Sequence, residues 1–325
     1  LIFSLLPSVF AGDVDKLGAG KTVILHSNDV HGEVLGYSYM AALKAKLEKA
    51  GADVILADAG DFSQGDTSVS LSKGANAVEL MNLTGYDVIG LGNHEFDYGY
   101  PQLQENMKKA KFAVLCSNVL DAENKPIFEA NKIIKKGGVK IGFFGMETPE
   151  TQTKTNPALI KGLTFLTDST ETTIWQNAQA QVDALKAAGA DVVVCLAHLG
   201  VDESSVPYRS YDLYEKVTGL DFIIDGHSHT VMEKGEKDEP IQSTGTKFAN
   251  IGVIVVDNAT KKISENYLVA TGEGGFSEQD ETVKAAAQKI IDDIKAEYGQ
   301  KFATSEVELN GAKEPGNRTE ETNNG

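Results

Sequence analysis

The sequence predicts an α/β fold with mixed sheets, and three observations carry that expectation. Short apolar runs rich in Val and Ile alternate with stretches of helical periodicity. The runs are almost continuously apolar, as strands buried on both faces are. Polar clusters bearing Asp, Asn and His leave the ends of several runs, where open α/β sheets place their ligands. The 325 residues are 41 % hydrophobic and 24 % charged, ordinary globular usage that excludes a disordered acidic tail, a collagen-like fibre and a polytopic membrane protein. Lys and Arg number 30 against 47 Asp and Glu, a net charge of −17. That balance excludes the basic surface needed by a non-specific nucleic-acid binder. Phosphate can still be handled if metal ions supply local positive charge.

The strand runs, in order, are Thr22–Leu25, Asp53–Ala57, Asp87–Ile89, Phe112–Leu115, Val139–Phe144, Asp191–Val194 and Asp221–Ile224. A helix is expected over 37–50, where Met40, Leu43 and Leu47 share a face. Another is expected over 171–188, where Ile174, Ala178, Val182 and Leu185 recur before Gly189, a residue suited to end it. A third spans 280–298 with Val283, Ile290, Ile291 and Ile294. Residues 126–146 and 240–270 read as strand pairs with turns at Gly137-Gly138 and Asn258, which adds antiparallel pieces to βαβ units. No internal repeat occurs, and residues 20–303 read as one domain.

Residues 1–11 form an apolar run closing on Val9-Phe10-Ala11, the pattern of a secretory signal peptide with its start missing. This predicts an exported protein: periplasmic, cell-surface or secreted. The run is too short to span a bilayer, and no other stretch of about 18 apolar residues exists. Residues 304–325 are polar and turn-rich and read as a linker. Cys116 and Cys195 lie in apolar runs and read as small buried hydrophobes. Without a CxxC pair, neither a zinc knuckle nor a thioredoxin motif is available.

The chemistry lies in the clusters. They are Asn28-Asp29-Val30-His31-Gly32, Gly60-Asp61, Gly92-Asn93-His94-Glu95-Phe96-Asp97, His198 and Gly226-His227-Ser228-His229. Imidazole with carboxylate suits manganese, zinc, iron or nickel rather than calcium. Asp29 and His31, alternating along an extended chain, are expected to project to one side. Asp61 is a lone carboxylate able to bridge two ions, and Asn93 offers a neutral carbonyl oxygen. His198, His227 and His229 complete two ligand sets. Two divalent ions about 3.5–4 Å apart clamp the attacking and leaving oxygens of a phosphoryl displacement, and one generates hydroxide from bound water near neutral pH. Each cluster alone is weak evidence; the ordered set, each member following a strand, is specific.

That ordered set resembles the 5′-nucleotidase and 2′,3′-cyclic phosphodiesterase family within the calcineurin-like metallophosphoesterases. The match rests on Ile24–Gly32, Ala59-Gly60-Asp61, Gly92–Asp97, Ala197-His198-Leu199-Gly200 and Ile224–Thr230, and covers about residues 20–300. It implies a four-layer α/β/β/α metallophosphoesterase sandwich with a dimetal site on its rim. By the resemblance, Asp29, His31, Asp61 and His229 hold one metal. Asp61, Asn93, His198 and His227 hold the other, and His94 with Asp97 forms the catalytic dyad. Such relatives carry a C-terminal domain with an aromatic pocket for the base, and Asn317–Gly325 resembles its opening. The expectation is hydrolysis of small phosphoesters with poor discrimination among nucleotides.

The implied activity is release of phosphate from nucleoside 5′-monophosphates by metal-bound hydroxide. Cyclic 2′,3′-nucleotides and UDP-sugars are alternative substrates of the same metal set. A thiosulfate-ester hydrolase and a non-catalytic surface binding protein are the further alternatives. The partner is a small-molecule phosphoester, not a nucleic-acid polymer. His26 reads as structural, and Glu95 and Asp66 as loop residues beside the site. Gly18–Thr22 imitates the end of a P-loop but precedes its strand instead of following one. Asn82, Asn258 and Asn317 begin N-glycosylation sequons.

Overall fold

The structure, a computed structural model, describes residues 14–301 and residue 304. The expected signal remnant at 1–11, the sequon at Asn317 and residues 305–325 of the expected linker lie outside the described residues. The chain divides into two compact units, Leu1–Gln288 and Lys289–Gly325.

Two six-stranded sheets dominate the first unit among the described residues. The first contains β1 (Lys21–Ser27), β2 (Asp53–Asp58), β3 (Val88–Gly90), β4 (Ala113–Leu115), β13 (Asn250–Asp257) and β14 (Lys262–Ala270). Its order is β14-β13-β1-β2-β3-β4, parallel from β1 to β4 and antiparallel at β13 and β14. The second contains β6 (Asn131–Lys136), β7 (Val139–Glu147), β9 (Val192–His198), β10 (Phe222–Asp225), β11 (Val231–Met232) and β12 (Ile241–Thr244). Its order is β11-β12-β10-β9-β7-β6, with a parallel centre and antiparallel edges. A small pair joins β5 (Val119–Leu120) to β8 (Thr164–Phe165).

Side-chain alternation along the strands makes the layers. Along β9, Val192, Val194 and Leu196 face Ile24, Ile55 and Val88 of the other sheet. Val193, Cys195 and Ala197 face the opposite way, onto Ile174, Ala178, Val182 and Leu185. The latter stripe belongs to α6 (Ile174–Ala187), which covers β7 and β9. Outside the first sheet lie α1 (Gly36–Lys49), with Tyr37, Met40, Leu43 and Leu47 buried, and α3 (Ala75–Thr84). The order helix, sheet, sheet, helix is the predicted four-layer sandwich. Shorter helices are α2 (Thr67–Ser70), α4 (Tyr100–Met107), α5 (Thr151–Lys154) and α7 (Ser210–Lys216).

The last helix, α8 (Glu281–Tyr298), buries Val283 and Ala287 in the first unit. Its remainder, with Ile290, Ile291 and Ile294 half-buried, belongs to the second. Expected helix limits agree with α1, α6 and α8 to within a few residues. Thr173 starts α6 with a capping box, its hydroxyl accepting from Gln176 N at 3.2 Å. The expected pair at 126–146 is the β6–β7 hairpin. The 240–270 stretch is divided: β13 and β14 pair about Asn258, whereas β12 joins the other sheet, parallel to β10. Both cysteines are buried and free. No helix among the described residues is long and apolar enough to cross a membrane.

Candidate metal centre

The parallel strands of both sheets end at one edge, and their loops carry the polar clusters. Backbone bonds tie the first two loops together: Asp29 N–H donates to Gly60 O at 2.9 Å and His31 N–H to Asp61 O at 3.1 Å. Asp29, His31 and His229 present ligand atoms within 4.8 Å of one another, as do Asp29, Asp61 and His198, and also His31, Asp61 and His94. Asn93 Oδ1 lies 2.9 Å from His227 Nδ1. The cluster spans both sheets and opens at His229, whose side chain is 47 % exposed, while Asp29, Asp61 and His198 are buried.

One expectation fails in its geometry. Asp29 and His31 do not alternate along an extended chain. Both take left-handed backbone, with φ of 49° and 45°. Asp61 (61°), His227 (80°) and His229 (54°) do the same. Non-glycine residues adopt this region at a cost, and such strain concentrates at functional sites. The sharp reversals turn short loops back over the strand ends, so neighbouring positions converge without an extended segment.

Buried partners hold these reversals in place. Glu95 accepts from Asp61 N (2.8 Å), Phe62 N (3.0 Å), Ser63 N (3.0 Å) and Gly92 N (2.7 Å). One carboxylate thereby joins the β2 and β3 loops; burial, with Asp61 nearby, raises its pKa to about 7. Asn28 donates to Asp29 Oδ2 at 2.7 Å and accepts from Thr244 N at 2.9 Å, linking the two sheets. Asp225 accepts from Ser210 Oγ at 2.6 Å and from the N–H groups of Leu199 and Gly200. Burial moves its pKa up to about 7. Two glycines are fixed by close approach. A Cβ on Gly92 would lie 2.3 Å from Asp61 Oδ1, and one on Gly226 2.9 Å from Asp29 Oδ2.

The donor set fits a cation. His198 Nδ1 lies 2.7 Å from the Ala59 carbonyl, to which it must donate. In the neutral ring its Nε2 then bears the lone pair, buried and 3.1 Å from Asp61 Oδ2. Two acceptors facing each other are repulsive unless a proton or a metal ion lies between them. His31 Nε2 and His229 Nε2 also face each other, at 3.0 Å. Burial opposes charge on His198, but Asp61 and Asp29 outweigh it and raise its pKa well above the ordinary value. Burial likewise opposes ionisation of Asp61, yet His198, His94 and His31 hold its pKa below the usual range. The site calls for positive charge where the ligand atoms converge.

His94 stands at the same cluster. Its Nδ1 lies 2.6 Å from Asp97 Oδ2, and its ring centre is 5.3 Å from that of His31. Burial disfavours its protonated form, but the bond to Asp97 and the charge of Asp61 prevail and raise the pKa to about 9. His26 lies away from the cluster, buried and 2.7 Å from Gln242 Oε1 of the other sheet. Asp66 caps α2, its carboxylate accepting from Ser68 N at 2.9 Å. The sequon residues Asn82 and Asn258 are engaged: Asn82 Oδ1 accepts from Lys111 N and Asn258 Oδ1 from Thr22 Oγ1.

Glu150 was missed. Its Oε2 lies 3.1 Å from His227 Nε2 and it pairs with Lys154; the His227 bond is the main cause that lowers its pKa to about 2. The signal was present, since Thr148-Pro149-Glu150 also leaves an apolar strand, β7. It carries neither a histidine nor a Gly-Asp pair, the features that marked the clusters.

A family model described as calcineurin-like phosphoesterase matches residues 22–231, more than half of the chain. The chain belongs to the calcineurin-like phosphoesterase family. Among curated relatives it is similar to the human 5′-nucleotidase, 29 % identical over 67 % of this chain and 40 % of that protein. A snake venom 5′-nucleotidase of Gloydius brevicauda is 31 % identical over 67 % of this chain and 38 % of its own length. The chain thus spans about two-fifths of the length of these relatives. The fold is shared with the calcineurin-like phosphoesterase YfkN of Bacillus subtilis (TM-score 0.73, 22 % identity, 86 % of this chain and 99 % of that one). It is also shared with a 5′-nucleotidase precursor of Thermus thermophilus (TM-score 0.71, 23 % identity, 85 % and 59 %).

Proposed function

We propose that this chain is an exported, metal-dependent phosphoesterase that hydrolyses nucleoside 5′-monophosphates to nucleoside and phosphate. The observation that carries the reading is the buried His198 Nε2, 3.1 Å from Asp61 Oδ2, beside a cluster of Asp29, His31 and His229. Asp29, His31, Asp61 and His229 form one ligand set. Asp61, Asn93, His198 and His227 form the second, with Asp61 common to both. Two divalent cations (Mn, Zn, Fe or Ni), when bound, supply Lewis acidity toward the phosphoryl group and a nucleophile active near neutral pH.

The protein's own groups do the rest. Asp97 holds His94 by Nδ1, which leaves Nε2 as the nitrogen available to substrate. Below its pKa of about 9 that nitrogen carries a proton. It then stabilises negative charge developing on the phosphoryl oxygens or protonates the leaving oxygen. Glu95 and Asn28 keep Asp61 and Asp29 from reorganising as charge moves. The nucleotide substrate is supported by the 5′-nucleotidase relatives. A trifunctional nucleotide phosphoesterase of Bacillus subtilis, 29 % identical over 66 % of this chain, favours 2′,3′-cyclic nucleotides as a second substrate class. Export is supported by the apolar run 1–11 and the venom relative; recovery of the protein solely from the cytosol of its source cells would contradict it.

The test is the initial rate of p-nitrophenyl phosphate hydrolysis by chelator-stripped protein, with and without Mn²⁺, followed by phosphate release from 5′-AMP. Restoration by Mn²⁺ on both substrates is expected. A folded protein inactive on every phosphoester with metal present would refute the activity.

A further inference from the structure

We propose that Glu150 is a positioning residue for the second metal: it orients the His227 ring so that Nδ1 faces Asn93 and the ion. This rests on the two-metal reading above. His227 Nε2 lies 3.1 Å from Glu150 Oε2, and Nδ1 lies 2.9 Å from Asn93 Oδ1. A carboxylate accepts only, so Nε2 carries a proton, and in the neutral ring Nδ1 keeps its lone pair. That lone pair then faces the lone pairs of the Asn93 carbonyl, an arrangement that a cation between them relieves. His198 shows the same construction, with the Ala59 carbonyl holding one nitrogen from outside and the other left bare toward Asp61. The two rings use opposite nitrogens. Each is therefore set by its outer partner and not by a rule of the sequence, and metal-ligating histidines are commonly fixed this way.

The support behind Glu150 is rigid. It lies three residues past the end of β7, between Thr148 and Thr151, which are both buried. Thr151 Oγ1 donates to Glu147 Oε1 at 2.5 Å, and Asn118 bonds both the N–H and the C=O of Glu147. Lys154 donates to the same Oε2, and Ser205 also hydrogen-bonds the Glu150 carboxylate. His227 is also fixed through its backbone, whose N–H donates to Asp29 Oδ2 at 3.0 Å. With the backbone held, the ring's remaining freedom is rotation, and Glu150 removes it.

The test is Mn²⁺ titration of chelator-stripped wild type, Glu150→Gln and Glu150→Ala, with free Mn²⁺ read by electron paramagnetic resonance. Near-ultraviolet circular dichroism reports the fold of each. Wild type is expected to bind two ions. Each variant should keep the first ion at wild-type affinity and bind the second about 10- to 100-fold more weakly. Equal weakening of both ions, no weakening of either, or loss of fold in both variants would overturn the proposal. If wild type itself fails to bind two ions, the two-metal reading falls first, and the positioning role falls with it.

Discussion

At the scale of single residues, the site depends on a few side chains that have almost no room. Gly92 is one such case, because the space where its Cβ would sit is filled by Asp61 Oδ1 at 2.3 Å. Gly92→Ala should displace that carboxylate and lower kcat/KM about 100-fold, the usual cost of roughly 1 Å of misplacement. Steady-state kinetics with saturating Mn²⁺ measures this, and a near-wild-type rate would show that the loop yields freely. His94 should set a pH limit. Its pKa is raised from 6.5 to about 9, so the protonated form is populated at neutral pH and is lost as pH climbs through 9. The basic limb of kcat/KM should fall there. Asp97→Asn removes the main group raising that pKa and should move the limb to lower pH; an unmoved limb would assign it to another group.

At the scale of elements, strand ends and helix faces account for what could be read from the sequence. The alternation of apolar runs with helical stripes located β1, β2, β7, β9 and β10, because a strand buried on both faces leaves little room for polar residues. It also located α1 and α6. The clusters at strand ends marked Asp29, Asp61, Asn93 and His227 as a set, and the fold brings their loops to one edge. What was not legible was anything set by neighbours remote in sequence. The left-handed backbone at Asp29 and His31 depends on bonds to Gly60 and Asp61 in the next loop. The division of 240–270 between two sheets depends on β10, which offers β12 a parallel edge. Glu150 became visible only when β7 and β10 brought it beside His227. Helix α6 carries none of the candidate ligands, so fold and site should separate energetically there. Leu185 is buried against Val193 and Ile223, so Leu185→Ala should cost about 2–5 kcal/mol in urea unfolding. Mn²⁺ affinity should stay unchanged, and a parallel loss of affinity would mean that the outer helix layer tunes the site.

At the scale of the whole first unit, the site exists because two sheets face each other and end together. The apolar layer between them, from Ile24 and Ile55 to Val194 and Leu196, keeps the two edges in register. Among these apolar side chains the His26–Gln242 hydrogen bond crosses from β1 to β12. Burial lowers the His26 pKa from 6.5 to about 4. The unfolded chain takes up that proton near 6.5 and the folded chain only near 4. The stability contributed by neutral His26 is therefore complete above 6.5 and is lost as pH falls toward 4, at up to about 1.4 kcal/mol per pH unit. Urea unfolding of wild type and His26→Gln in chelator, at pH 7 and pH 5, should show their stability difference shifting toward the variant at the lower pH. A difference independent of pH would contradict the assignment.

On the proposed reading, loops from both sheets build one two-metal site. Anomalous scattering from a crystal soaked in Mn²⁺ tests it most directly. Two peaks about 3.5–4 Å apart are expected. One should be held by Asp29, His31, Asp61 and His229, the other by Asp61, Asn93, His198 and His227. A single peak, or peaks away from these residues in an intact fold, would contradict it.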